Sequence, residues 1–114
     1  MRIETYHRGS FQVLRIHDGD TISDLSELKD LITGYLSRGK RSIAVGFTDA
    51  SYIYSGALKA LISCHNLIKE QGGELCILEP NPKLVDILEL LNINRVIKIY
   101  LSEDSLPGSF SQPA

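Results

Sequence analysis

The stretch that most constrains the fold runs from Ser42 to Ile62 and contains three consecutive patterns. A short apolar run ends at Phe47, a polar turn spans 48–56, and the apolar spacing of a helix begins at Ala57. An apolar run of this length, bounded by glycine and charge, predicts a buried strand. Proteins of the α/β class place functional residues in loops that leave the carboxyl end of a strand and enter a helix. We therefore expect the functional residues of this chain in the turn at 48–56.

The rest of the chain alternates strand patterns with helix patterns. Further strands are expected at 3–6, 11–16, 74–78 and 96–100, and further helices are expected from Leu25 to Leu36 and from Pro82 to Leu91. Because strands that alternate with helices are joined by right-handed crossovers, the sequence predicts an α/β fold with a mostly parallel sheet. The first two strands form a hairpin, which supplies an antiparallel edge.

Local signals predict where the helices begin and end. Ser23 is expected to cap the first helix, and Asn81 is expected to cap the third with Pro82 at its first position. Gly39 and the pair Gly72-Gly73 are expected to end the first two helices, because glycine readily takes the left-handed conformation found there.

Two predictions concern burial. In the second strand Gln12 and Arg15 fall on opposite sides, which predicts partial exposure of one face. The apolar side of the third helix is expected to consist of Val85, Ile87, Leu88 and Leu91.

Composition limits the classes of protein to which the chain can belong. Its 114 residues and 43% hydrophobic share predict one domain over 1–106, followed by a flexible tail over 107–114 that is rich in proline, glycine and serine. The net charge of −2, spread along the chain, argues against a nucleic-acid-binding face. Apolar runs are too short for a membrane span, and the amino terminus is too polar for a signal peptide, which predicts a cytoplasmic protein.

No arrangement of reactive side chains predicts an enzyme, a cofactor or a metal site. Cys64 and Cys76 are expected to be small buried hydrophobes, and His65 is expected to pack near the apolar side of the second helix. Asp18 and Asp20 lie in a turn, where carboxylates are usually solvated rather than metal-bound. Walker, dinucleotide-binding and nucleophile-elbow motifs are absent from the sequence. The three histidines are widely separated: His7, His17 and His65.

Between 43 and 100 the sequence resembles the STAS domain, and in particular the bacterial anti-sigma factor antagonists. The family pattern is an apolar strand, D-L-S-x-V-x-x-I-D-S-S-G-L, a helix that ends K-x-x-G-G, a strand, and N-x-x-P-x-V-x-x-x-L-x-x-x-G-L. The corresponding text here runs without a gap from Ala44 to Ile93. The matching positions are Tyr52-Ile53, Leu58, Leu61, Gly72-Gly73, Asn81-Pro82 and Leu88.

The resemblance implies a STAS fold, with a mixed sheet of about five strands and three to four helices packed on it. It also implies partner switching, in which the domain binds a kinase-like anti-sigma factor and is released when that kinase phosphorylates a serine in D-S-S-G. Here Tyr54 replaces the aspartate, Ser55 keeps the first serine, Gly56 replaces the phosphorylated serine and Ala57 replaces the glycine. Glycine has no hydroxyl, so the usual acceptor is missing and the site is degenerate.

Two interpretations remain open at several of these positions. Ser55 is either the cap of the second helix, which we favour, or a displaced phosphoacceptor. Tyr54 is either ordinary packing or an interface anchor, whereas packing is favoured for Tyr52.

We therefore predict a non-enzymatic module that binds an anti-sigma factor or another STAS-domain protein. The alternatives are a scaffold subunit of a STAS-domain assembly and a domain that binds a small ligand or lipid; the oligomeric state stays open. The predicted contact residues are Thr48, Asp49, Ser51, Tyr54, Ser55, Gly56 and Lys59.

Overall fold

The computed structural model describes residues 2–17 and 19–107, and most of these residues belong to helices or strands. Except for Pro107, the tail predicted at 107–114 lies outside the described residues. The strands are β1 (Arg2–Arg8), β2 (Phe11–His17), β3 (Thr21–Ile22), β4 (Ser42–Gly46), β5 (Tyr52–Ile53), β6 (Glu74–Leu78) and β7 (Lys98–Tyr100). The helices are α1 (Ser26–Ser37), α2 (Ser55–Glu70) and α3 (Pro82–Leu90), with short 3₁₀ turns at Ile93–Arg95 and Glu103–Ser105.

The main sheet has the strand order β1-β2-β4-β6-β7. β1 and β2 pair antiparallel across a tight turn in which Gly9 has a φ of 61°, and the other neighbours pair in parallel. This arrangement confirms the predicted mixed sheet with an antiparallel edge. A second, two-stranded sheet joins β3 to β5 in parallel, and no pattern in the sequence predicted it. Two residues are too few to show the alternation by which a strand is recognised.

The three helices pack on one face of the main sheet, and their buried side chains form the larger of two apolar clusters. The opposite face carries a smaller cluster, in which Leu106 packs against the strands. Cys64 lies in the first cluster and Cys76 in the second, and both are fully buried, as predicted. Burial raises the pKa of Cys64, and it raises the pKa of Cys76 to about 12, so both thiols stay protonated. Within the described residues, every helix is too short or too polar to cross a bilayer.

The predicted helix ends are confirmed where proline or glycine determines the backbone conformation. Asn81 caps α3, because its side-chain oxygen accepts a hydrogen bond from the Lys83 N–H at 2.9 Å, and Pro82 is the first helical residue. Gly39 and Gly72 follow α1 and α2 with φ values of 86° and 79°. Ser23, however, does not cap α1. The helix begins at Ser26, whose N–H and hydroxyl both donate to Asp24, and that local turn takes the place of the predicted cap.

The burial prediction for β2 was wrong, and that for α3 was right only in part. β2 is covered on both faces, because Leu14 and Ile16 pack in the larger cluster and Phe11 and Val13 pack in the smaller one. Gln12 is only 5% exposed, and its amide donates to the Tyr6 carbonyl at 3.1 Å. In α3, Leu88 is buried and Ile87 packs against the core, as predicted. Leu84 is buried as well, and Leu91 is 50% exposed because the helix ends at Leu90.

The glycines Gly34 and Gly73 give a matched test of this packing. A Cβ at Gly73 would clash with the Arg41 carbonyl oxygen and lie 2.8 Å from Ile68 Cγ2, whereas a Cβ at Gly34 would meet nothing within 4 Å. We expect Gly73→Ala to lower the free energy of unfolding by about 2 kcal/mol, as overpacking does. Gly34→Ala should raise it by about 0.5–1 kcal/mol, because alanine is the better helix former.

Urea unfolding followed by circular dichroism measures both changes. Equal stability of the two variants would contradict the close approach of the chain at Gly73.

Candidate functional site

The candidate site lies where the chain leaves the carboxyl end of β4 and enters α2. We call residues 48–56 the partner loop. Two of its residues, Ala50 and Ile53, are buried in the core, which holds the loop to the domain. The side chains that remain exposed include Thr48 and Asp49.

The short sheet of β3 and β5 gives the partner loop a second attachment. The N–H groups of Ser51 and Tyr54 donate to the carbonyls of Asp20 and Ile22 at 2.8 Å and 2.9 Å. The Ser51 hydroxyl also donates to the Asp20 carboxylate at 2.7 Å, so this half-buried side chain fixes the loop. The turn containing Asp20, whose carboxylate was expected to be solvated, therefore supports the loop.

Arg15 anchors the start of the partner loop from the neighbouring strand. Its Nη1 donates to the Thr48 hydroxyl at 2.7 Å, and that hydroxyl in turn donates to the Glu79 carbonyl at 3.1 Å. The same guanidinium pairs through Nη2 with Glu79 at 2.9 Å and with Glu103 at 2.6 Å. Four segments of the chain thus meet at one side chain at the carboxyl edge of the sheet.

Tyr6 completes this network. Its hydroxyl accepts from Arg15 Nε at 3.1 Å and donates to Glu103 at 2.8 Å. Burial raises the pKa of Tyr6, so the phenol stays protonated and can donate. Burial by itself would lower the pKa of Arg15, but its hydrogen bonds to Tyr6, Glu79 and Glu103 raise it, and the guanidinium stays charged.

Two tyrosines form the most exposed aromatic surface of the loop. Tyr52 is 45% exposed and Tyr54 is 52% exposed, and their rings meet edge to face with centroids 5.1 Å apart. Each ring therefore restricts the other while one surface stays open to solvent. Packing was favoured for Tyr52, and its ring does pack against Tyr54 while staying partly exposed.

The amino end of α2 differs from the expectation for Ser55. The helix begins at Ser55 itself, Tyr54 occupies the cap position, and the cap makes no side-chain hydrogen bond. The prediction that Ser55 caps the helix was therefore wrong, since a residue inside the first turn cannot take that role. Ser55 and Gly56 are both exposed, and a Cβ at Gly56 would meet nothing within 4 Å.

The outer side of α2 continues the same surface. Lys59 lies one turn beyond Ser55 and is exposed. It borders a shallow groove of about 390 Å³ whose other lining residues are Ile62, Ser63, Asn66, Leu67 and Glu70. An exposed stripe with apolar side chains beside charged ones has the character of a docking surface.

The structure brings the seven predicted contact residues to one end of the domain. All are exposed except Ser51. Asp49 also lies near His17, with 3.7 Å between its Oδ2 and His17 Nδ1.

Sequence reasoning missed the supporting residues Arg15 and Glu79. Arg15 could have been found in the sequence, because it is a charged residue between apolar neighbours in a predicted strand. No cluster of metal-ligating side chains occurs in the part of the chain that the structure describes.

Known proteins and one family model resemble this chain in sequence. The model of the STAS domain family matches residues 2–106. Over 66 residues the chain is 30% identical to a candidate anti-sigma factor antagonist of Thermotoga maritima and 26% identical to a homologue from Thermotoga neapolitana. Each match covers 58% of this chain and 58% of the relative, which is less than two thirds of its length.

Solved structures resemble the whole described domain. The NMR structure of TM1081 superposes with a TM-score of 0.74 at 21% identity, over 91% of this chain and 84% of that one. The Bacillus cell fate determinant SpoIIAA in its phosphorylated form gives a TM-score of 0.67 at 12% identity, over 91% of this chain and 96% of that one. These likenesses confirm the predicted fold class.

Removal of the Arg15 guanidinium tests its role as the anchor of this edge. We expect Arg15→Met to lower the free energy of unfolding by about 3 kcal/mol, because two partly buried carboxylates lose their common partner. Arg38→Met is the matched control, since Arg38 is exposed and its guanidinium lies over the Tyr35 ring at 4.8 Å. The control should change stability by less than about 0.5 kcal/mol.

Chemical denaturation of both variants supplies the comparison. If Arg15→Met is as stable as the control, the network does not hold the edge together.

Proposed function

This chain belongs to the STAS domain family, and we propose that it is a non-enzymatic binding module of the anti-sigma factor antagonist type. Its partner would be a kinase-like anti-sigma factor, which it would hold away from a sigma factor. The docking surface would be the partner loop together with the outer side of α2, including Lys59. The names of the relatives from Thermotoga support this choice of partner.

The observation that carries the proposal is that Tyr52 and Tyr54 are exposed on a loop whose two ends are held in place by hydrogen bonds. Tyrosine is among the residues that contribute most to protein interfaces, because it offers a large contact area with few rotatable bonds. A loop already fixed by hydrogen bonds to Asp20 and Ile22 loses little conformational entropy when it binds. A preorganised aromatic contact at the amino end of a helix therefore suits recognition of another protein.

The switch would differ from that of phosphorylated relatives. A phosphate at the amino end of α2 would be tolerated by the helix dipole and would disrupt a docked surface through its charge. Gly56 occupies the acceptor position in the ungapped register and has no oxygen to carry a phosphate. We therefore propose that binding is not ended by phosphorylation at this position.

A second candidate function has a specific observation in its favour. Leu90 and Leu91 at the end of α3, and Val96 in the following turn, are 80%, 50% and 51% exposed. Apolar side chains exposed together favour contact with another subunit, as in a scaffold built from STAS domains. Size-exclusion chromatography with light scattering separates the two candidates, since a persistent monomer speaks against the scaffold.

Substitution of Tyr54 tests the docking surface. Each kinase-like anti-sigma factor of the source organism is expressed and its affinity for the chain is measured by isothermal titration calorimetry. We expect Tyr54→Ala to weaken binding by about tenfold or more, as loss of an aromatic anchor does. Leu90→Ala is the control, because it removes a large apolar side chain that is even more exposed, at 80%, but lies at the end of α3, and it should leave the affinity unchanged.

Either of two results would overturn the proposal. The first is that none of these anti-sigma factors binds, and the second is that Leu90→Ala weakens binding as much as Tyr54→Ala.

Phosphorylation is tested with the anti-sigma factor that binds. After incubation with this kinase and ATP, we expect intact-mass spectrometry to show no added phosphate on the wild-type chain. Gly56→Ser should gain one phosphate, because the space around Gly56 admits a side chain. A stoichiometric phosphate on Ser55 of the wild type would contradict the proposed loss of the switch.

A further inference from the structure

A second concave surface lies at the opposite end of the sheet from the partner loop. It is an open cleft of about 610 Å³ at the amino ends of β4, β6 and β7, beside the carboxyl end of α2. Its volume falls within the range of small-molecule sites, roughly 300–1,000 Å³. Strands of five residues separate the two ends by about 15 Å, so this cleft is distinct from the docking surface.

The cleft concentrates positive charge in a chain whose net charge is −2. Arg41, Lys69, Arg95 and Lys98 line it, and Glu74 is the one carboxylate residue in the lining. Four cationic side chains against one carboxylate leave an excess of three positive charges. None of these five side chains forms an ion pair within the described ranges, whereas Arg8 and Arg15 at the other end pair with acids.

The favourable interaction of cationic side chains with the carboxyl ends of helices explains only some of these residues. The carboxyl end of α2 carries partial negative charge, which favours Lys69 in its last turn. Arg41, however, lies four residues beyond the end of α1, outside its last turn. Lys98 begins a strand, and Arg95 lies beyond the end of α3. The convergence of all four on one concave surface needs a further cause.

His65 adds an independent feature to the wall of the cleft. Its ring lines the cleft, and its Nδ1 is buried with no hydrogen-bond partner in the described part of the chain. Burial, and then the nearby Lys69, lower the pKa of His65. The imidazole is therefore neutral at pH 7, and negative charge placed in the cleft would favour its protonation.

We propose that this cleft binds a small multivalent anion whose charged groups are phosphates or carboxylates. The guanidinium groups of Arg41 and Arg95 can contact two oxygens of such a group at once, and the ammonium groups of Lys69 and Lys98 add charge without fixed geometry. Gly72 also lines the cleft, and the space where a Cβ would stand there is open to 4 Å, so the backbone does not obstruct an anion at this point. A concave site of this volume fits a small molecule better than a nucleic acid or a flat protein surface.

NMR titration of the ¹⁵N-labelled full chain tests the proposal, with pyrophosphate and citrate as probes at constant ionic strength. We expect saturable shifts of the amides of Gly72, Gly73 and Val96, and no shifts in the partner loop. The pKa of His65, followed through its ring protons, should rise when the probe is bound. Response to pyrophosphate alone assigns the site to phosphates, and response to both probes assigns it to multivalent anions in general.

Charge-removing variants supply the control. Arg95→Gln and Lys98→Gln should each weaken probe binding by about tenfold, the loss expected for a charged hydrogen bond. Lys83→Gln removes an exposed lysine at the opposite end and should leave probe binding unchanged. Unsaturable shifts, or equal weakening by all three variants, would show general counterion attraction and overturn the proposal.

Discussion

The charged contacts of Arg15 are the interaction on which the carboxyl end of the sheet depends. This guanidinium is carried by β2, and its partners are Tyr6 of β1, Thr48 in the loop after β4, Glu79 after β6 and Glu103 in the turn after β7. Its side chain is 11% exposed, so charge that water would otherwise stabilise is balanced almost wholly by protein groups. Breaking one of these contacts therefore disturbs more than one strand end. The partner loop begins inside this network at Thr48, and its position follows from the burial of a charge.

Backbone conformation at Glu79 shows how closely this edge is defined. Glu79 has a φ of 46°, in the left-handed region that costs a side-chain-bearing residue free energy. In this conformation its N–H donates to the Tyr100 carbonyl at 2.7 Å, and its carboxylate accepts from the Glu103 N–H at 3.2 Å as well as from Arg15. A strained residue persists where surrounding contacts determine its place. The edge below the partner loop is thus rigid, which suits a surface that binds without rearranging.

Periodicity and local backbone signals predicted the main elements, because each of these depends on a few neighbouring residues. The buried strands, the ends at Gly72 and Asn81, and the mixed sheet all follow from such signals. The caps at Ser23 and Ser55 were wrong because the choice of first helical residue depends on what else contacts the turn: Asp24 in one case, and the pairing of β5 with β3 in the other. Long-range partners such as Glu103 for Arg15 could not be predicted, since no local pattern relates them.

α2 runs between the two surfaces that we propose to be functional. Its packing indicates that a ligand at one surface does not change binding at the other. Its 16 residues span about 24 Å from the partner loop to the cationic cleft. Coupling between two sites requires an element with two arrangements whose balance both ligands change. α2 is packed along its length by Leu58, Leu61 and Ile68, which are 8% exposed or less, and closed by the hydrogen bonds of Gly72 and Gly73. A helix held in this way transmits little displacement, so an anion in the cleft would stabilise the fold without altering the affinity of the partner loop.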